Sequence, residues 1–473
     1  MTQPLTAAST IELDPRRWWL LAVTALAQLV ILLDITIVTV ALPSAQAALG
    51  ISDANRHWVV TAYAITFGGF LLLGGRLGDT FGRRRVFVGS LVGFGLASGL
   101  GGVAGTPELL FAARALQGVF GAALAPVILS LITVTFTDRA ERGRAFGIWG
   151  SVSGLGAAMG MILGGVLTEY VSWRWTLLVN VPIALALAVA AARIVAESRS
   201  ERRGGFDVPG VLTSTIGVAL VVFGSTQAER HGWGSASTLI PLLGGVVLVV
   251  CFVAIEARSK DPLLPLSIFA DRMRAGSFLV SALLGAAIAS SNVFIIFYLQ
   301  QARDMSILMS GLTFVPQALA VVVFATVGAR LMPRIGPRPL VVTGALIGVA
   351  GFVLLSTVGP DTSFLLVVAP GILLLGISSG LIWPVASATS LAGIAPADAG
   401  AAGGMVNVCQ QVAGAVAIGV LNTVAATAST GTTASLIDGL TTTYVACAGI
   451  LLVAALIAAA TLKSEGATLR TGA

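Results

Sequence analysis

Long apolar stretches separated by short polar connections run through the whole chain. A helix needs about 20 mostly apolar residues to cross a bilayer, and fourteen stretches come near that length. Many are rich in glycine and alanine, which suits the close packing of helices in lipid. The pattern predicts an all-α polytopic membrane protein with helices at 18–42, 57–76, 86–105, 107–136, 145–168, 174–195, 208–227, 237–257, 275–301, 310–332, 339–358, 362–388, 399–425 and 439–462.

The composition indicates the same class of protein. Of the 473 residues, 56% are hydrophobic and 10% are charged, whereas a soluble domain is about 25% charged. So little polar surface cannot cover a water-soluble globule. The first apolar stretch is too long for the core of a cleaved signal peptide, and no small-residue cleavage pattern follows it, so we expect it to remain as the first helix.

The basic residues predict how the chain is oriented. Most of the 27 Lys and Arg residues fall in every second connection, and the opposite connections hold only Arg56, Arg174, Arg230 and Arg303. The positive-inside rule therefore places both termini in the cytoplasm, in a multi-pass protein of the cell membrane. The pI near 9.8 does not indicate a nucleic-acid partner, because the basic runs lie between apolar stretches rather than on one folded face.

The two ends of the chain resemble each other. Positions 76–84 and 330–338 both begin with Arg-Leu and place Gly and Arg at the same later positions, and Gly118 and Gly376 each precede a proline by eight residues. Such matches indicate duplicated halves, the parallel-repeat plan of one large transporter class. We therefore predict an N-terminal six-helix bundle at 1–203, two inserted transmembrane helices at 204–257 and a C-terminal six-helix bundle at 258–473.

A charged turn, GGRLGDTFGRRRV, joins the second and third predicted helices. In its simplest interpretation the turn only sets topology. It also resembles the signature loop G-x-L-x-D-x-x-G-R-[RK] of the major facilitator superfamily, and the matching residues are Gly75, Leu77, Asp79, Gly82, Arg83 and Arg84.

The resemblance implies that the turn is a cytoplasmic gate and that the chain has the major facilitator fold. Asp79 is then expected to contact the start of a helix in the other half, near 398–404, when the inside is closed. The second copy of the loop has Pro333 in place of Asp79, which predicts a gate that differs between the halves.

Two further motifs support the resemblance. ARALQGVFGAALAP is similar to the R-x-x-Q-G element of the superfamily's fourth helix. GAAMGMILGG resembles the element that marks antiporters, with Met161 in place of its proline. Close helix packing alone also explains these glycines. The matching antiporter residues are Gly156, Gly160, Gly164 and Gly165.

The first and sixth predicted helices resemble one subgroup in particular. LDITIVTVALP looks like the first-helix signature of the fourteen-span drug:proton antiporters, with Thr39 replacing asparagine. WRWTLLVNVP is similar to a second signature of that subgroup, with Leu177 replacing an aromatic residue. The resemblance covers essentially the whole chain.

Asp34 is the only acid deep within a predicted helix, and Arg114 is the only deep base. Asp34 lies nine residues from Pro43, or about 14 Å, and Arg114 lies seven residues from Pro107, or roughly 10 Å. The resemblance places both helices beside the central cavity. One interpretation is a permanent ion pair that holds two helices together. The other is that Asp34 exchanges protons, with a cationic substrate competing for the carboxylate.

The resemblance also predicts a substrate cavity among the central helices. Each candidate side chain has a simpler interpretation as a hydrogen-bonding or packing residue between helices. No acid lies within the tenth predicted helix, which favours neutral or singly charged amphipathic substrates. The candidate polar and aromatic residues are Gln28, Tyr63, Gln117, Trp149, Asn292, Phe294, Tyr298, Gln301, Gln317, Trp383, Asn407, Gln410 and Gln411.

The leading functional hypothesis is a proton-coupled antiporter that exports hydrophobic or amphipathic drugs or antibiotics by alternating access. The alternatives are an exporter of one endogenous metabolite, such as an antibiotic or siderophore, and a non-transporting membrane sensor. An enzyme is not expected, since the sequence has no nucleotide loop, metal-ligand spacing or nucleophile–base pair. We expect no cofactor and a monomer whose partners are a small-molecule substrate, protons and the lipid bilayer.

Overall fold

The computed structural model describes residues 16–52, 55–199, 207–359, 362–428 and 433–464. Within them, fourteen helices are long and apolar enough to cross a membrane, and no strand is present. They are α1 (Arg16–Leu49), α2 (Trp58–Phe81), α3 (Arg83–Gly102), α4 (Pro107–Thr135), α5 (Ala140–Tyr170), α6 (Trp175–Ile194), α7 (Val208–Ala228), α8 (Ala236–Glu256), α9 (Arg272–Ala302), α10 (Met309–Ile335), α11 (Pro337–Leu355), α12 (Phe364–Ser390), α13 (Pro396–Ala425) and α14 (Ile437–Thr461).

The number and order of the helices confirm the predicted all-α fold, but three predicted boundaries are wrong by five residues or more. α2 continues to Phe81 rather than ending at 76, and α5 begins at Ala140 rather than at 145. The predicted first helix ends at Leu42, whereas α1 continues through Pro43 to Leu49. Proline removes one backbone donor and bends a helix. A long apolar helix tolerates that loss when the freed carbonyl group finds another partner.

Local sequence explains where several helices begin. Thr106 caps α4 by accepting a hydrogen bond from the backbone N–H of Leu109 at 3.3 Å, and Pro107 then occupies the first turn, where its missing N–H is harmless. Asp138 likewise caps α5 by accepting from the N–H of Glu141 at 2.8 Å. These caps satisfy backbone donors that the helix itself leaves free.

The repeated sequence element has the same backbone role in both copies. Gly82 separates α2 from α3 with a φ of +106°, and Gly336 separates α10 from α11 with a φ of +77°. L-residues with side chains rarely adopt these angles. The repeated glycines therefore allow two sharp turns at corresponding positions.

The first six helices and the last six pack in the same order. In the first group α1 packs on α5 and α6, α2 on α4, and α3 on α4 and α6. In the last group α9 packs on α13 and α14, α10 on α12, and α11 on α12 and α14. The predicted limits of the halves, 1–203 and 258–473, stay a prediction.

The groups meet along two seams. On one seam α5 packs against α10 and α12, and on the other α13 packs against α2 and α4. The remaining helices, α7 and α8, pack on each other, and α7 also lies against α2 and α13. α7 therefore contacts both groups, while α8 exposes large apolar side chains such as Ile240 and Val250.

Candidate functional site

A cavity of about 400 Å³ lies between the two groups of helices. Its wall is mostly apolar and includes Ile35 of α1 and Val222 of α7. None of the described residues that line it is charged. Five predicted residues are in the wall, and the Oδ1 atom of Asn292 and the Nε1 atom of Trp383 have no hydrogen-bond partner among the described residues. The five are Asn292, Gln317, Trp383, Gln410 and Gln411.

The other predicted cavity residues are not in this wall, and several of them fill the helix bundles. Trp149 packs edge-on against Phe146 at 6.1 Å between ring centroids. Phe294 and Tyr298 belong to the core of the second group, where the Tyr298 hydroxyl donates to the carbonyl of Gly359 at 3.3 Å. Their helices were predicted correctly, but the direction that each side chain takes depends on the packing.

The remaining polar candidates also lie outside the cavity wall, because packing directs their side chains elsewhere. Asn407 donates to the carbonyl of Gly403 in its own helix at 3.0 Å, Gln28 is buried, and Gln301 is exposed. Tyr63 and Gln117 belong instead to a buried polar cluster around Asp34. In this conformation these residues lie outside the cavity wall, and their part in substrate binding stays a prediction.

Asp34 is fully buried and accepts three hydrogen bonds. Arg114 donates from Nη1 to its Oδ2 at 2.6 Å, which also makes an ion pair. The side-chain amides of Gln117 and Asn180 donate to its Oδ1 at 2.9 and 2.8 Å. Both carboxylate oxygens are therefore paired, as a buried charge requires.

The guanidinium of Arg114 is held equally firmly. It donates to the backbone carbonyl of Val59 at 3.0 Å and to Oε1 of Gln117 at 2.9 Å. Its central carbon lies 4.5 Å from the centre of the Tyr63 ring, a cation–π distance. The pair thus joins α1, α2, α4 and α6 through one polar network.

Asp34 is not among the residues that line the cavity. Ile35, its neighbour on α1, points about 100° away around the helix and is part of the wall. The carboxylate therefore faces the inside of the first helix group while the next residue faces the cavity. Direct competition between substrate and proton for Asp34 has no contact surface in this conformation.

Two members of the Asp34 cluster were not among the predicted site residues. Asn180 belongs to the WRWTLLVNVP motif, so its place in a recognised motif was an available signal in the sequence. The structure shows that its side chain is fully buried. Ser98 accepts from the amide of Gln117 at 2.7 Å, and nothing in its local sequence distinguishes it from other small residues of α3. Only the packing of α3 beside α4 reveals it.

The predicted charged turn is mostly helical, since α2 continues to Phe81 and α3 begins at Arg83, and the end of α2 with the start of α3 contacts the start of α13. Asp79 pairs with Arg83 at 2.6 Å through Oδ1, and its Oδ2 accepts from the backbone N–H of Gly400 at 2.9 Å. Arg83 also donates to the carbonyl of Pro396 and to the Ser130 hydroxyl. The contact that the resemblance implied, between Asp79 and residues 398–404, is present.

The start of α3 binds the end of α6 and the connection after it. The backbone N–H of Arg84 donates to Oε1 of Glu197 at 3.2 Å, and its guanidinium donates to the carbonyl of Ala192. A Cβ atom at Gly75 would collide with the backbone of Gly400. The matched glycine therefore permits close approach of α2 and α13.

The glycines of the antiporter-like element form a face of α5 that packs on α1. A Cβ atom at Gly156 would lie 3.1 Å from the carbonyl of Leu29, and one at Gly164 would lie 3.1 Å from the carbonyl of Ile37. Gly160 faces Thr36 in the same way, and Gly165 is buried. These contacts agree with the packing interpretation and leave an additional role in transport as a prediction.

Residues 24–418 match the family model of the Major Facilitator Superfamily. The chain belongs to that superfamily. It is therefore a transporter and not an enzyme, and the predicted family is confirmed. Among the described residues no group of three or more His, Cys, Asp or Glu side chains is arranged to hold a metal ion.

Several relatives are named for antibiotic resistance or export. The puromycin resistance protein of Streptomyces alboniger is 46% identical over 91% of this chain and 86% of its own. The cephamycin export protein of Amycolatopsis lactamdurans is 39% identical over 88% and 86%. A multidrug efflux pump of Mycolicibacterium smegmatis is 33% identical over 88% and 82%.

A solved structure has the same fold. The human organic anion transporter MFSD10 superposes with a TM-score of 0.67, covering 94% of this chain and 100% of that one. The sequences are 17% identical. At that identity the likeness supports the fold alone.

Proposed function

We propose that this protein is a proton-coupled antiporter that exports hydrophobic or amphipathic drugs or antibiotics by alternating access. The observation that carries the proposal is the central cavity, which is bounded by both helix groups and by α7 and is lined mostly by apolar groups. Such a surface binds apolar molecules through burial and orients them through a few polar groups. The names of the relatives support the same substrate class.

The uncharged wall supports neutral or singly charged substrates rather than dications. Gln317, Gln410 and Gln411 offer both donors and acceptors, and they suit hydroxyl, carbonyl and amide groups of a bound compound. A fixed positive charge would find no carboxylate among the described residues of the wall. Substrate selection then depends on size and apolar area.

We assign proton coupling to Asp34 and Arg114. Protonation of Asp34 would weaken its charge-assisted bond to Arg114 and free the guanidinium to change partners. Because Leu32 and Ile35 of the same helix line the cavity, movement of α1 would alter the substrate site. Coupling through helix movement replaces the direct competition that the sequence suggested.

The test uses Asp34→Asn in proteoliposomes loaded with a fluorescent drug. We expect transport driven by a pH gradient to be abolished, while exchange of labelled for unlabelled drug without a gradient continues. Asp438→Asn, at an exposed acid of α14, is the matched control and should keep both activities. Gradient-driven transport at the wild-type rate in correctly inserted Asp34→Asn would exclude this role.

A dedicated exporter is the second candidate. Two relatives are each named for one compound, puromycin or cephamycin. Efflux measured over a chemically mixed panel separates the candidates, since one strong responder indicates a dedicated exporter and a graded response to many compounds indicates a multidrug exporter.

We also propose that the protein is a monomer of the cell membrane with both termini in the cytoplasm. The concentration of arginine in alternate connections supports this orientation. Protease protection of terminal tags in sealed spheroplasts tests it, and cleavage of either tag from outside would contradict it.

A further inference from the structure

Glu256 ends α8 on the predicted cytoplasmic side, the side where α1 begins and α14 ends. Its side chain is 4% exposed. The carboxylate accepts from the backbone N–H of Leu264 at 3.0 Å through Oε2, and the backbone N–H of Leu263 also acts on it, while the buried Oε1 has no partner within hydrogen-bond geometry among the described residues. Half of this carboxylate therefore lacks the donor that a buried charge requires.

Asp207 has the same deficiency and lies beside it. It caps α7 by accepting from the N–H of Gly210 at 2.8 Å through Oδ1, and its buried Oδ2 has no partner among the described residues. A Cβ atom at Gly210 would lie 2.6 Å from Oε1 of Glu256 and 3.0 Å from Oδ2 of Asp207. The two unpartnered oxygens thus both approach Gly210 and lie at most about 5.6 Å apart.

One positive group in the described part of the chain acts electrostatically on Glu256. The guanidinium of Arg76, on α2, acts on Glu256 and also on the gate residue Asp79. Among the described residues, Asp207 and Arg76 are the charged groups that act on Glu256. Among the described residues, therefore, two carboxylates lie near a single guanidinium.

A single proton removes both deficiencies. Ionised carboxylates only accept hydrogen bonds, whereas a protonated carboxyl group donates one. A proton on one of the two oxygens would give that oxygen a hydrogen to donate towards the other and would reduce the negative charge beside Arg76. Two like carboxylates that share a site cannot both ionise easily.

We propose that Glu256 and Asp207 form a proton-binding site that links the inserted helices to the gate on the predicted cytoplasmic side. The proton is taken from water on that side and returned to it, and no other group is transferred. The site lies on the predicted cytoplasmic side, whereas Asp34 lies near the middle of α1. It goes beyond the proposed export function because proton binding here does not depend on the exported compound.

The sign of the pH effect follows from linkage. In the proposed site, the packing seen here, with the gate closed, holds the proton between the carboxyl groups of Glu256 and Asp207. Low pH therefore stabilises this packing, and as the pH rises the proton leaves and two like charges face each other beside Gly210. Contact of α7 with α8 and with α2 should loosen, and Arg76 of α2 would carry that change to the gate.

The first experiment detects the proton directly by infrared difference spectroscopy between low and high pH. Purified full-length protein in lipid nanodiscs should show a protonated carboxyl band that Glu256→Gln removes. Asp271→Asn is the matched control, because Asp271 caps α9 as Asp207 caps α7 but is exposed. The band should persist in that variant, and a spectrum that Glu256→Gln leaves unchanged would overturn the proposal.

Asp207→Asn provides a second variant if Glu256→Gln does not fold. Asparagine keeps the helix cap, and its amide N–H can donate to Oε1 of Glu256 in place of the proton. We expect the same band to disappear. Its persistence at wild-type intensity would count against a shared site.

The melting temperature measured against pH gives an independent readout. The wild-type protein should lose stability as the pH rises through the titration of the pair, and Glu256→Gln should lack that component. Sodium, magnesium and calcium chloride are the further probes. A cation-induced rise in the wild-type melting temperature that Glu256→Gln abolishes would show a cation site and overturn the assignment to a proton.

Discussion

At the residue scale, the central feature is how a carboxylate is stabilised in the membrane. The sequence places Asp34 and Arg114 at similar depths, and the structure pairs them at 2.6 Å. Depth alone did not reveal that Gln117 would join this pair rather than line the cavity, or that Asn180 would complete the shell. Removing one partner of a buried charge leaves an unpaired group, so the shell should be sensitive to substitution.

Asn180→Ala should destabilise the protein and disturb proton coupling. The substitution removes one donor from Oδ1 of Asp34 while Gln117 remains. A hydrogen bond to a charged group contributes about 1.5–3 kcal/mol, so the melting temperature should fall clearly. Asn292→Ala is the control, because its Oδ1 has no partner; this variant should affect substrate binding more than stability. Equal melting temperatures for Asn180→Ala and the wild type would contradict the importance of this bond.

At the element scale, the inserted helices have an identifiable place. α7 packs on both α2 and α13, and Val222 reaches the cavity wall. At the outer end, Trp233 donates from Nε1 to the Thr423 hydroxyl at 2.7 Å. The sequence marked these helices as an insert but contained no signal for the seam they would cover, since that depends on packing between distant helices.

Val222→Phe should narrow the cavity and change substrate preference. The larger ring would occupy space next to Gly68 of α2, where Val222 already lies 3.4 Å from a Cβ built on that glycine. Efflux of bulky compounds should fall by about tenfold, with a smaller effect on compact ones. Ile216→Phe, on an exposed position of the same helix, should leave the substrate profile unchanged. A uniform loss for all compounds would argue against a role in specificity.

At the scale of the whole molecule, the two helix groups are closed against each other on the predicted cytoplasmic side. Backbone contacts at Gly75, Gly403 and Gly404 accompany the bond from Gly400 to Asp79. Along α13 the cavity begins at Gln410, about 15 Å beyond Gly400. The gate and the substrate site are therefore separate layers along one helix.

Asp79→Ala should shift the molecule towards opening on the predicted cytoplasmic side. The change removes a charge-assisted contact between the two helix groups. Such a contact contributes about 1.5–3 kcal/mol, so its loss should raise the ratio of open to closed molecules by roughly tenfold or more. The measurement is labelling of Ser379→Cys, a cavity residue, in a background without native cysteines. A membrane-impermeant thiol reagent is applied from the predicted cytoplasmic side.

Arg85→Ala is the matched control for the gate. Arg85 is 77% exposed in its 3.6 Å pair with Glu197, and such surface pairs contribute about 0–1 kcal/mol. With Arg85→Ala, the cysteine of Ser379→Cys should be labelled at the same rate as in the protein that carries Ser379→Cys without a change at the gate. Unaltered labelling in Asp79→Ala would mean that the other contacts of α13 hold the gate closed without this bond.

The chain's own pattern was sufficient to establish fourteen membrane helices, their order and the family, because apolar length and local motifs are properties of contiguous residues. The same local chemistry marked Asp34, Arg114 and the gate turn. It could not establish that Asp34 faces away from the cavity, that Asn180 is its partner, or that Glu256 meets Asp207. Those relations depend on how helices far apart in sequence rotate and pack, which the period of a single helix does not specify.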